Sequence, residues 1–502
     1  MAQNSLLRVH SEMKDGPVVV TLSDVADDSR ANVSRLARGG VLRRIPPHIV
    51  FLVIAGINVL LLVVLIPPFQ VHDEFQDLFR SYQLSELNVW GTVQDGHPGG
   101  VLPSALPEFV KKTWGTLRVW YIPPLGRHPL TKTWAELRRP LSPHKQQFSE
   151  FVFTTYSPIL YIPQTFGVAI GRLLGASPLV LMLLGRLANA AAALAVIAWS
   201  LKVLPVGRIA ALTIALLPMA QYEYASLAPD AMIIAAGFLF TAVVLRASMR
   251  GLWTRTDIVT SAVAAAILCC KLVYAPLLTI GLPATLRRYA RGDSPAMVVR
   301  SAVSQLLVAV FAIGTAVIWL VSTSSIMNSW ASPAITVARE MSILRAPWSF
   351  AGMLISDVRA HGFFYLRDTV GIFGAWTVYL PPFVFVSVVY CLLFSLLLEE
   401  GNETRIGVRA IAWNLLAIFS SIALVQTAMF IINNPDGLWR IFGVQGRYFL
   451  PLGPLAAATL ASFSMPVAIG RRSGFGYRIL LVLIAFNTIA MDGTIVVGFH
   501  LL

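Results

Sequence analysis

Charged residues are scarce in this chain. Asp, Glu, Lys and Arg make up only 13% of its 502 residues, while hydrophobic residues make up 56%. A soluble domain carries about 25% charged residues, because its surface has to be solvated. The composition therefore excludes a soluble globular protein and indicates a polytopic membrane protein.

Cysteine is almost absent as well. Cys269, Cys270 and Cys391 all lie inside apolar segments, and their spacing is typical of neither a metal site nor an extracellular disulfide framework. We interpret them as core residues. The histidines of the first polar loop are also too far apart to predict a zinc site, which usually takes two ligands that are close in sequence.

Acidic residues are outnumbered by basic ones, 25 to 39, which gives a formal net charge of +14. Such an excess could indicate a nucleic-acid-binding protein. Here, however, Lys and Arg are spread between the apolar segments, in the pattern that orients membrane proteins. We therefore predict membrane lipids and no nucleic acid as partners.

The N-terminus lacks the shape of a signal peptide. Its first apolar run begins only at His48 and is too long for one, so we expect an uncleaved first helix. The sequence predicts a cytoplasmic N-terminal tail, 1–47, and a transmembrane domain, 48–502. That domain includes a first external loop, 67–177, and a large later external loop, 322–378.

The apolar runs predict an all-α polytopic membrane protein with about eleven transmembrane helices. With the C-terminus outside, the short loops rich in Lys and Arg are cytoplasmic, as the positive-inside rule requires. No repeat of fixed period is visible. The predicted spans are 48–66, 178–201, 207–222, 229–245, 257–270, 272–286, 298–321, 379–398, 408–432, 447–466 and 478–499.

The apolar run at 156–174 has two interpretations. As a span, it would put Lys202 and Arg208 outside the cell and reverse every later loop. As a helix lying in the membrane interface, it can accommodate Pro158 and Pro163. The positive-inside rule favours the second interpretation, and with it interfacial helices in the long first external loop.

On this topology, ionisable residues gather at the outer face of the membrane. Ionisable residues at membrane depth are costly and usually functional. The ionisable residues at the predicted outer face are Asp73, Glu74, Asp77, Glu223, Asp230, Lys271, Arg440 and Arg447. We therefore predict one polar site there, with acidic groups from the first loops and basic groups from later helices.

An acidic pair that faces basic groups suits transfer from a phosphate-linked donor. A carboxylate can deprotonate an incoming hydroxyl, and Lys or Arg can hold the leaving phosphate. Carboxylates could also hold a divalent cation against that phosphate.

Simpler interpretations remain open. Asp73 and Glu74 could be solvated residues in the first turn of a helix, and Asp230 could be a helix cap. Lys271 and Arg447 could simply extend to the interface.

Several short motifs occur in order between about residues 50 and 465. They are Pro67-Pro68 with Asp73-Glu74, Tyr156-Ser157-Pro158, Tyr161-Ile162-Pro163, Gly171-Arg172-Leu173, Gly185-Arg186-Leu187-Ala188-Asn189, Leu217-Pro218-Met219, Ala225-Ser226-Leu227-Ala228-Pro229-Asp230-Ala231, Lys271 with Tyr274, and Gln445-Gly446-Arg447-Tyr448-Phe449-Leu450-Pro451. Together these motifs resemble the DUF2142 family of bacterial membrane proteins. That family is in turn similar to the GT-C glycosyltransferases.

The resemblance implies a GT-C-like bundle and a polyprenyl-phosphate-linked sugar as donor. In the GT-C superfamily, the first external loop carries an acidic catalytic motif and the second carries a further Asp. The resemblance thus implies that Asp73 is the general base and that Glu74 assists it. It makes Asp230 the second-loop acid. Glu74 and Asp230 are the candidate ligands of a divalent cation, Mg or Mn; no other cofactor is implied.

The basic residues of the later motifs are the implied donor site. The resemblance makes Arg447 a ligand of the donor phosphate, with Lys271, Tyr448 and Gln445 beside it. Two features depart from the family pattern. Relatives favour Pro before the Asp-Glu pair and a His after it, where this chain has His72 and Asp77. The later loop reads Gly374-Ala375-Trp376-Thr377, without the acid that relatives show near this point.

We therefore expect an inner-membrane glycosyltransferase that moves a sugar from a polyprenyl-phosphate donor to an extracytoplasmic acceptor. A glycan or lipid-linked glycan of the cell envelope would be that acceptor, and aromatic residues of the later loop suit sugar stacking or an interfacial belt. The alternatives are a transporter or flippase, or a polymerase, of lipid-linked glycans. A transporter more often shows inverted repeats, and none is visible.

Overall fold

The structure is a computed structural model of the chain. It describes residues 45–114, 130–142, 144–326, 332–374, 376–399, 406–434, 436–463 and 474–501. Apart from its last three residues, the predicted tail, 1–47, lies outside these ranges.

The described chain is mostly helical. Its first elements are α1 (Pro47–Leu65), α2 (Glu74–Ser85), β1 (Thr92–Gln94), β2 (His97–Pro103), α3 (Ala105–Trp114), α4 (Leu130–Ala135), β3 (Gln146–Glu150), α5 (Ile162–Leu173) and α6 (Pro178–Val203). Then come α7 (Arg208–Ala215), α8 (Pro218–Tyr224), α9 (Asp230–Arg250), α10 (Arg255–Cys269), α11 (Leu282–Arg291), α12 (Pro295–Thr323), α13 (Pro333–Arg345) and α14 (Pro347–Gly371). The last elements are β4 (Ile372–Phe373), β5 (Val378–Tyr379), α15 (Pro382–Leu397), α16 (Val408–Ile432), α17 (Gly453–Phe463) and α18 (Phe475–Val496). Short 3-10 segments lie at Glu136–Arg138, Val152–Thr155, Pro158–Tyr161, Leu272–Thr279 and Gly446–Leu452.

Six of the described helices are long and apolar enough to cross a membrane: α1, α6, α9, α12, α16 and α18 with the turn that follows it. They coincide with six of the eleven predicted spans. The prediction of an all-α membrane protein is thus confirmed at this level. The 16-residue α15 and the 15-residue α10 fall on two further predicted spans.

The other three predicted spans are interrupted helices. The run at 207–222 forms α7 and α8, which meet just before Pro218. In 272–286 a 3-10 segment that contains Pro276 replaces the first half of the predicted span. In 447–466 a 3-10 segment that contains Pro451 replaces the start of the predicted span. Proline lacks the backbone N–H and clashes with the preceding turn, so it ends or distorts an α-helix.

The run at 156–174 forms a 3-10 turn and α5, a helix of 12 residues. A helix of that length rises about 18 Å, which is short of the roughly 30 Å of a bilayer core. It packs along α6 and against α2. This geometry supports its interpretation as an interfacial helix.

Helix α9 lies at the centre of the bundle. Of its most apolar window, 89% is buried, the largest share among the six long helices. It packs against α6, α10 and the Gly446–Leu452 segment. Because α9 begins at Asp230, that carboxylate lies in the middle of one end of the bundle.

The segment between α1 and α6 has a small core of its own. Its strands form an antiparallel sheet in the order β1-β2-β3, and an Asp95-Gly96 turn joins β1 to β2. Both turn residues have positive φ angles, as a two-residue hairpin requires. Phenylalanines of α2 and α3 pack under this sheet and against α6, which fixes the segment over the end of the bundle.

Candidate active site

Five ionisable side chains from five separate segments meet at this end of the bundle. Asp73 directly precedes α2, Glu223 lies near the end of α8, and Asp230 begins α9. Lys271 lies at the break after α10, and Arg447 lies in the Gly446–Leu452 segment. We call these five residues the ionic cluster. The predicted meeting of loop acids with basic groups from later segments is therefore present.

Arg447 is the centre of the ionic cluster. Its Nη1 lies 3.3 Å from Oε1 of Glu223, its Nε 3.5 Å from Oδ2 of Asp230, and its Nη2 4.0 Å from Oδ2 of Asp73. The side chain is only 7% exposed. Arg447 is thus not an interfacial anchor, and three carboxylates compete for its guanidinium.

Lys271 pairs with the central acid of the cluster. Its Nζ lies 2.5 Å from Oδ1 of Asp230 and 5.0 Å from the ring centre of Tyr448. Tyr448 is held in turn, because its backbone oxygen accepts a hydrogen bond of 2.8 Å from the hydroxyl of Tyr274. Asp230 therefore binds two cations and is more than a helix cap.

Asp73 is the most accessible acid of the cluster. Its side chain is 42% exposed, and its backbone has a φ of 64°, in the left-handed region that few residues other than glycine adopt. It makes no side-chain cap to α2, which argues against the interpretation as a simple helix-terminus residue. The surrounding protein desolvates the carboxylate and raises the pKa of Asp73, although the charge of Arg447 acts in the opposite direction. Asp73 is thus a reachable and more basic carboxylate.

Glu223 is buried; it belongs to the predicted polar site, but the sequence assigned it no role. Burial raises its pKa to about 7, and the charge of Arg447 opposes that shift. Its Oε2 atom has no hydrogen-bond partner within the part of the chain that the structure describes. With all five groups ionised, the cluster would carry one net negative charge.

Glu74 points away from the ionic cluster. Arg186 binds it in a two-pronged pair, with Nε to Oε1 at 2.8 Å and Nη2 to Oε2 at 2.6 Å. The backbone N–H groups of Phe69 and Leu227 donate to the same carboxylate, each at 3.1 Å. Glu74 has no exposed surface. This geometry does not support the predicted role of Glu74 in catalysis or metal binding, because both of its oxygens are already taken.

The remaining donors of Arg186 hold the end of α1. Its Nη1 donates to the backbone oxygens of Val63 and Ile66 at 3.0 and 2.8 Å. Carbonyls at a helix C-terminus have no partner within the helix, so a buried cation is well placed there. Together, Arg186 and Glu74 fix the chain where it leaves α1, and thereby fix the position of Asp73.

Asp77 is not the solvated helix residue that its place in α2 could suggest. It is 1% exposed, and its Oδ1 accepts a hydrogen bond of 2.8 Å from the hydroxyl of Tyr161. Burial raises the pKa of Asp77 well above its ordinary value. Burial thus favours the uncharged form of this carboxyl.

Helix α14 contacts the segment that carries Arg447 and holds it in place. The backbone N–H of Gly446 donates to Oδ2 of Asp368 at 2.6 Å. A Cβ at Gly446 would lie only 2.1 Å from the backbone nitrogen of Thr369, so only glycine fits here. Gln445, a predicted donor-site residue, is buried beside it, and its backbone oxygen accepts from the N–H of Tyr448.

A cavity of about 730 Å³ lies beside the ionic cluster. Its wall is mostly apolar and comes from α10, α12, α16 and the 3-10 segments near Tyr156 and Tyr274. Lys271 and Tyr448 line it too. The cavity and the cluster therefore share a wall.

The two predicted metal ligands do not fit a divalent cation. Glu74 is enclosed by Arg186, and Lys271 and Arg447 meet the two oxygens of Asp230. A cation would have to displace these positive charges. Within the described ranges, no group of three or more His, Cys, Asp or Glu side chains has a metal-binding arrangement. We derive no chemical step through a metal.

A family described as a predicted membrane protein, DUF2142, matches residues 57–456. The chain belongs to the DUF2142 family. The match includes every member of the ionic cluster and ends before α18. No curated protein and no solved structure shows a significant match.

Sequence reasoning placed all five members of the ionic cluster in the predicted polar site of this DUF2142 chain and assigned a role to four of them. It noted Glu223 as an outer charge but gave it no role. The role of Arg186 was missed as well, although it lies in the quoted Gly185-Arg186 motif. An arginine inside an apolar run is itself a signal, because such a residue needs a buried partner.

Proposed function

We propose that this protein is a membrane glycosyltransferase that moves a sugar from a polyprenyl-phosphate donor to an extracytoplasmic acceptor, such as a glycan of the cell surface. The observation that carries the proposal is the shared wall of the ionic cluster and the apolar cavity. Lys271 belongs to both, and Tyr448, whose ring lies 5.0 Å from Nζ of Lys271, also lines the cavity. A lipid-linked sugar needs this combination: an apolar space for the lipid and a polar group at its head.

In the proposed reaction, a hydroxyl oxygen of the acceptor attacks the anomeric carbon of the donor sugar. The bond between that carbon and the phosphate oxygen breaks, and the polyprenyl phosphate leaves with the bonding electrons. Asp73 accepts the hydroxyl proton, since its partly exposed carboxylate is reachable and desolvation by the surrounding protein raises its pKa. Arg447, with Nη2 4.0 Å from Oδ2 of Asp73, lies where it can stabilise the charge that develops on the leaving oxygen.

The architecture suits this proposal. We propose eleven membrane crossings in a GT-C-like arrangement, in which the six long helices form the frame and the interrupted ones lie around the site. The breaks near Lys271 and Arg447 bring charged side chains to membrane depth. Irregular backbone is tolerated at that depth only where it is buried in protein or lines a cavity. The short α5 and the first-loop sheet would cover the site at the extracytoplasmic face.

A deletion strain provides the substrate for a test. We expect it to accumulate a lipid-linked sugar and to lose one sugar from a surface glycan, both detectable by mass analysis. The accumulated lipid is then offered to the purified protein in detergent, with the truncated glycan as acceptor. A detergent micelle has no second leaflet, so lipid flipping cannot occur in this assay. Release of polyprenyl phosphate together with extension of the glycan would therefore identify a transferase.

Asp73→Asn is the decisive variant. The amide cannot accept the proton, so transfer should fall by about 100-fold or more, with an unchanged melting temperature. Asp95→Asn is the matched control, because Asp95 lies in the same loop, also at a positive φ, and is exposed in the β1-β2 turn. Full activity in Asp73→Asn would contradict the proposed mechanism and favour a flippase of lipid-linked glycans.

A further inference from the structure

Arg80 is a buried cation on the wall side of α2. It has no exposed surface, and within the described residues no carboxylate lies within 4 Å of its guanidinium. Burial lowers the pKa of Arg80 only to about 10, so it stays charged at neutral pH. A buried charge without a counter-ion is costly. Arg80 therefore needs an anionic partner that the described residues do not supply.

The contacts of Arg80 are with uncharged groups. Its Nη1 donates to Oε1 of Gln83 at 2.6 Å, and its Nη2 donates to the backbone oxygen of Tyr156 at 3.0 Å. Its buried Nε has no partner within the described part of the chain. The guanidinium also lies 6.0 Å from the ring centre of Trp319. Only two of the five guanidinium N–H groups thus have a described acceptor, and the unpaired Nε–H is one of those left for a further acceptor.

Two of these contacts belong to the wall of the apolar cavity. Tyr156 and Trp319 both line it, so Arg80 lies directly behind that wall. Lys271 also lines the cavity, but Asp230 already neutralises it. Among the described residues at this cavity, Arg80 is therefore the cation without an ion pair.

The ionic cluster cannot compensate a phosphate by itself, because its acids outnumber its bases three to two. We propose that Arg80 supplies the positive charge that binds the phosphate of an anionic isoprenoid lipid in the cavity. This inference rests on the proposed function, which brings such a lipid to this place. It moves the main phosphate contact from Arg447 to a residue of the first loop.

Trp319 covers the proposed site. Its indole N–H donates to the backbone oxygen of Thr155 at 2.7 Å, which holds the ring between the cavity and Arg80. Direct contact between phosphate and guanidinium requires the ring to turn away. The guanidinium N–H groups of Arg80, the unpaired Nε–H among them, then donate to the anion, which replaces the weaker attraction of an aromatic face.

Farnesyl phosphate, farnesol and inorganic phosphate are suitable probes for the purified full chain in detergent. Isothermal titration gives the affinity for each one. We expect the wild type to bind farnesyl phosphate more tightly than farnesol and to bind inorganic phosphate weakly. In Arg80→Gln this preference for the phosphorylated lipid should fall about tenfold or more, while Arg80→Lys should keep part of it. Inorganic phosphate that competed as well as the lipid would overturn the lipid assignment.

Arg172→Gln is the matched control, because Arg172 also donates to a backbone oxygen, that of Ser85, and has a buried Nε without a described partner. Arg172 does not line the cavity. The preference of Arg172→Gln for farnesyl phosphate over farnesol should therefore equal that of the wild type. Trp319→Ala should strengthen farnesyl phosphate binding, and this gain should vanish in the double variant with Arg80→Gln. A loss of stability alone predicts no such opposite effects.

The outcomes separate this inference from the proposed function. If Arg80→Gln keeps the full preference while the wild type transfers sugar, only the assignment of Arg80 fails. If the preference depends on Arg80 but no sugar is transferred, the protein binds an anionic lipid and the transferase proposal fails.

Discussion

Asp73 and Glu74 are neighbours in the sequence, yet they belong to two different regions of the molecule. Glu74 and Arg186 form a dry pair in which both carboxylate oxygens have two partners. Asp73 lies 4.0 Å from Arg447 and is 42% exposed. In the first region both oxygens of the carboxylate are already paired, whereas in the second the carboxylate of Asp73 is still accessible to a ligand.

A single turn separates the buried, fully paired Glu74 from the accessible Asp73. The positive φ of Asp73 turns the chain just before α2, so that consecutive side chains leave in different directions. Arg186 holds the turn from one side, while Asp73 faces the ionic cluster on the other. Strained residues that the surrounding structure holds in place are a common feature of functional sites.

The largest expected effect is the loss of the structural pair. Arg186→Met leaves the carboxylate of Glu74 buried without its cation and frees the carbonyls at the end of α1. Breaking a buried pair in this way costs about 3–5 kcal/mol of folding stability. Thermal unfolding of the purified protein should show a large drop for this variant and none for Asp73→Asn. Equal melting temperatures for wild type and Arg186→Met would remove the contrast between the two regions.

Arg447→Lys tests the other region. Lysine keeps the charge but loses the planar fork that reaches Glu223 and Asp230 at once. We expect transfer to fall about tenfold, with little change in melting temperature, because several of these contacts are longer than ideal hydrogen bonds. A Lys variant with the donor affinity and rate of the wild type would show that Arg447 acts only as a positive charge.

Glu223 makes the cluster sensitive to pH. Because its pKa is raised from 4.5 to about 7, chiefly by burial, the folded protein holds a proton that the unfolded chain releases between these values. Its contribution to stability is therefore largest below pH 4.5 and is lost as the pH rises towards 7. The melting temperature of Glu223→Gln should fall less over this range than that of the wild type. Glu108→Gln, at an exposed glutamate of α3, should follow the wild-type curve.

The sequence predicted much of this arrangement, because long apolar runs and charge patterns report directly on membrane burial. It placed Asp73, Asp230, Lys271 and Arg447 at one face. It could not divide Asp73 from Glu74, since that depends on a backbone turn and on Arg186, a partner 112 positions further along the chain.

The interrupted helices show a second limit. Hydropathy alone predicts continuous spans at 207–222, 272–286 and 447–466. Pro218, Pro276 and Pro451 break all three. These prolines are visible in the sequence. Whether a proline kinks a span or ends it, however, depends on the helices that pack against it.

The smallest expected effect is that of Asp77→Asn. Asp77 is nearly as buried as Glu74 but forms no ion pair with any described residue, and burial raises its pKa well above the ordinary value. An amide of nearly the same shape can keep the 2.8 Å hydrogen bond from Tyr161, and burial already favours the uncharged form of this side chain. Transfer should therefore stay within about tenfold of the wild type, against a loss of about 100-fold or more in Asp73→Asn. Rates for both variants, measured with equal amounts of folded protein, check this. If Asp77→Asn lost as much activity as Asp73→Asn, the proton would be shared between two carboxyl groups of α2 and its N-terminal turn, and exposure would no longer distinguish the chemical acid.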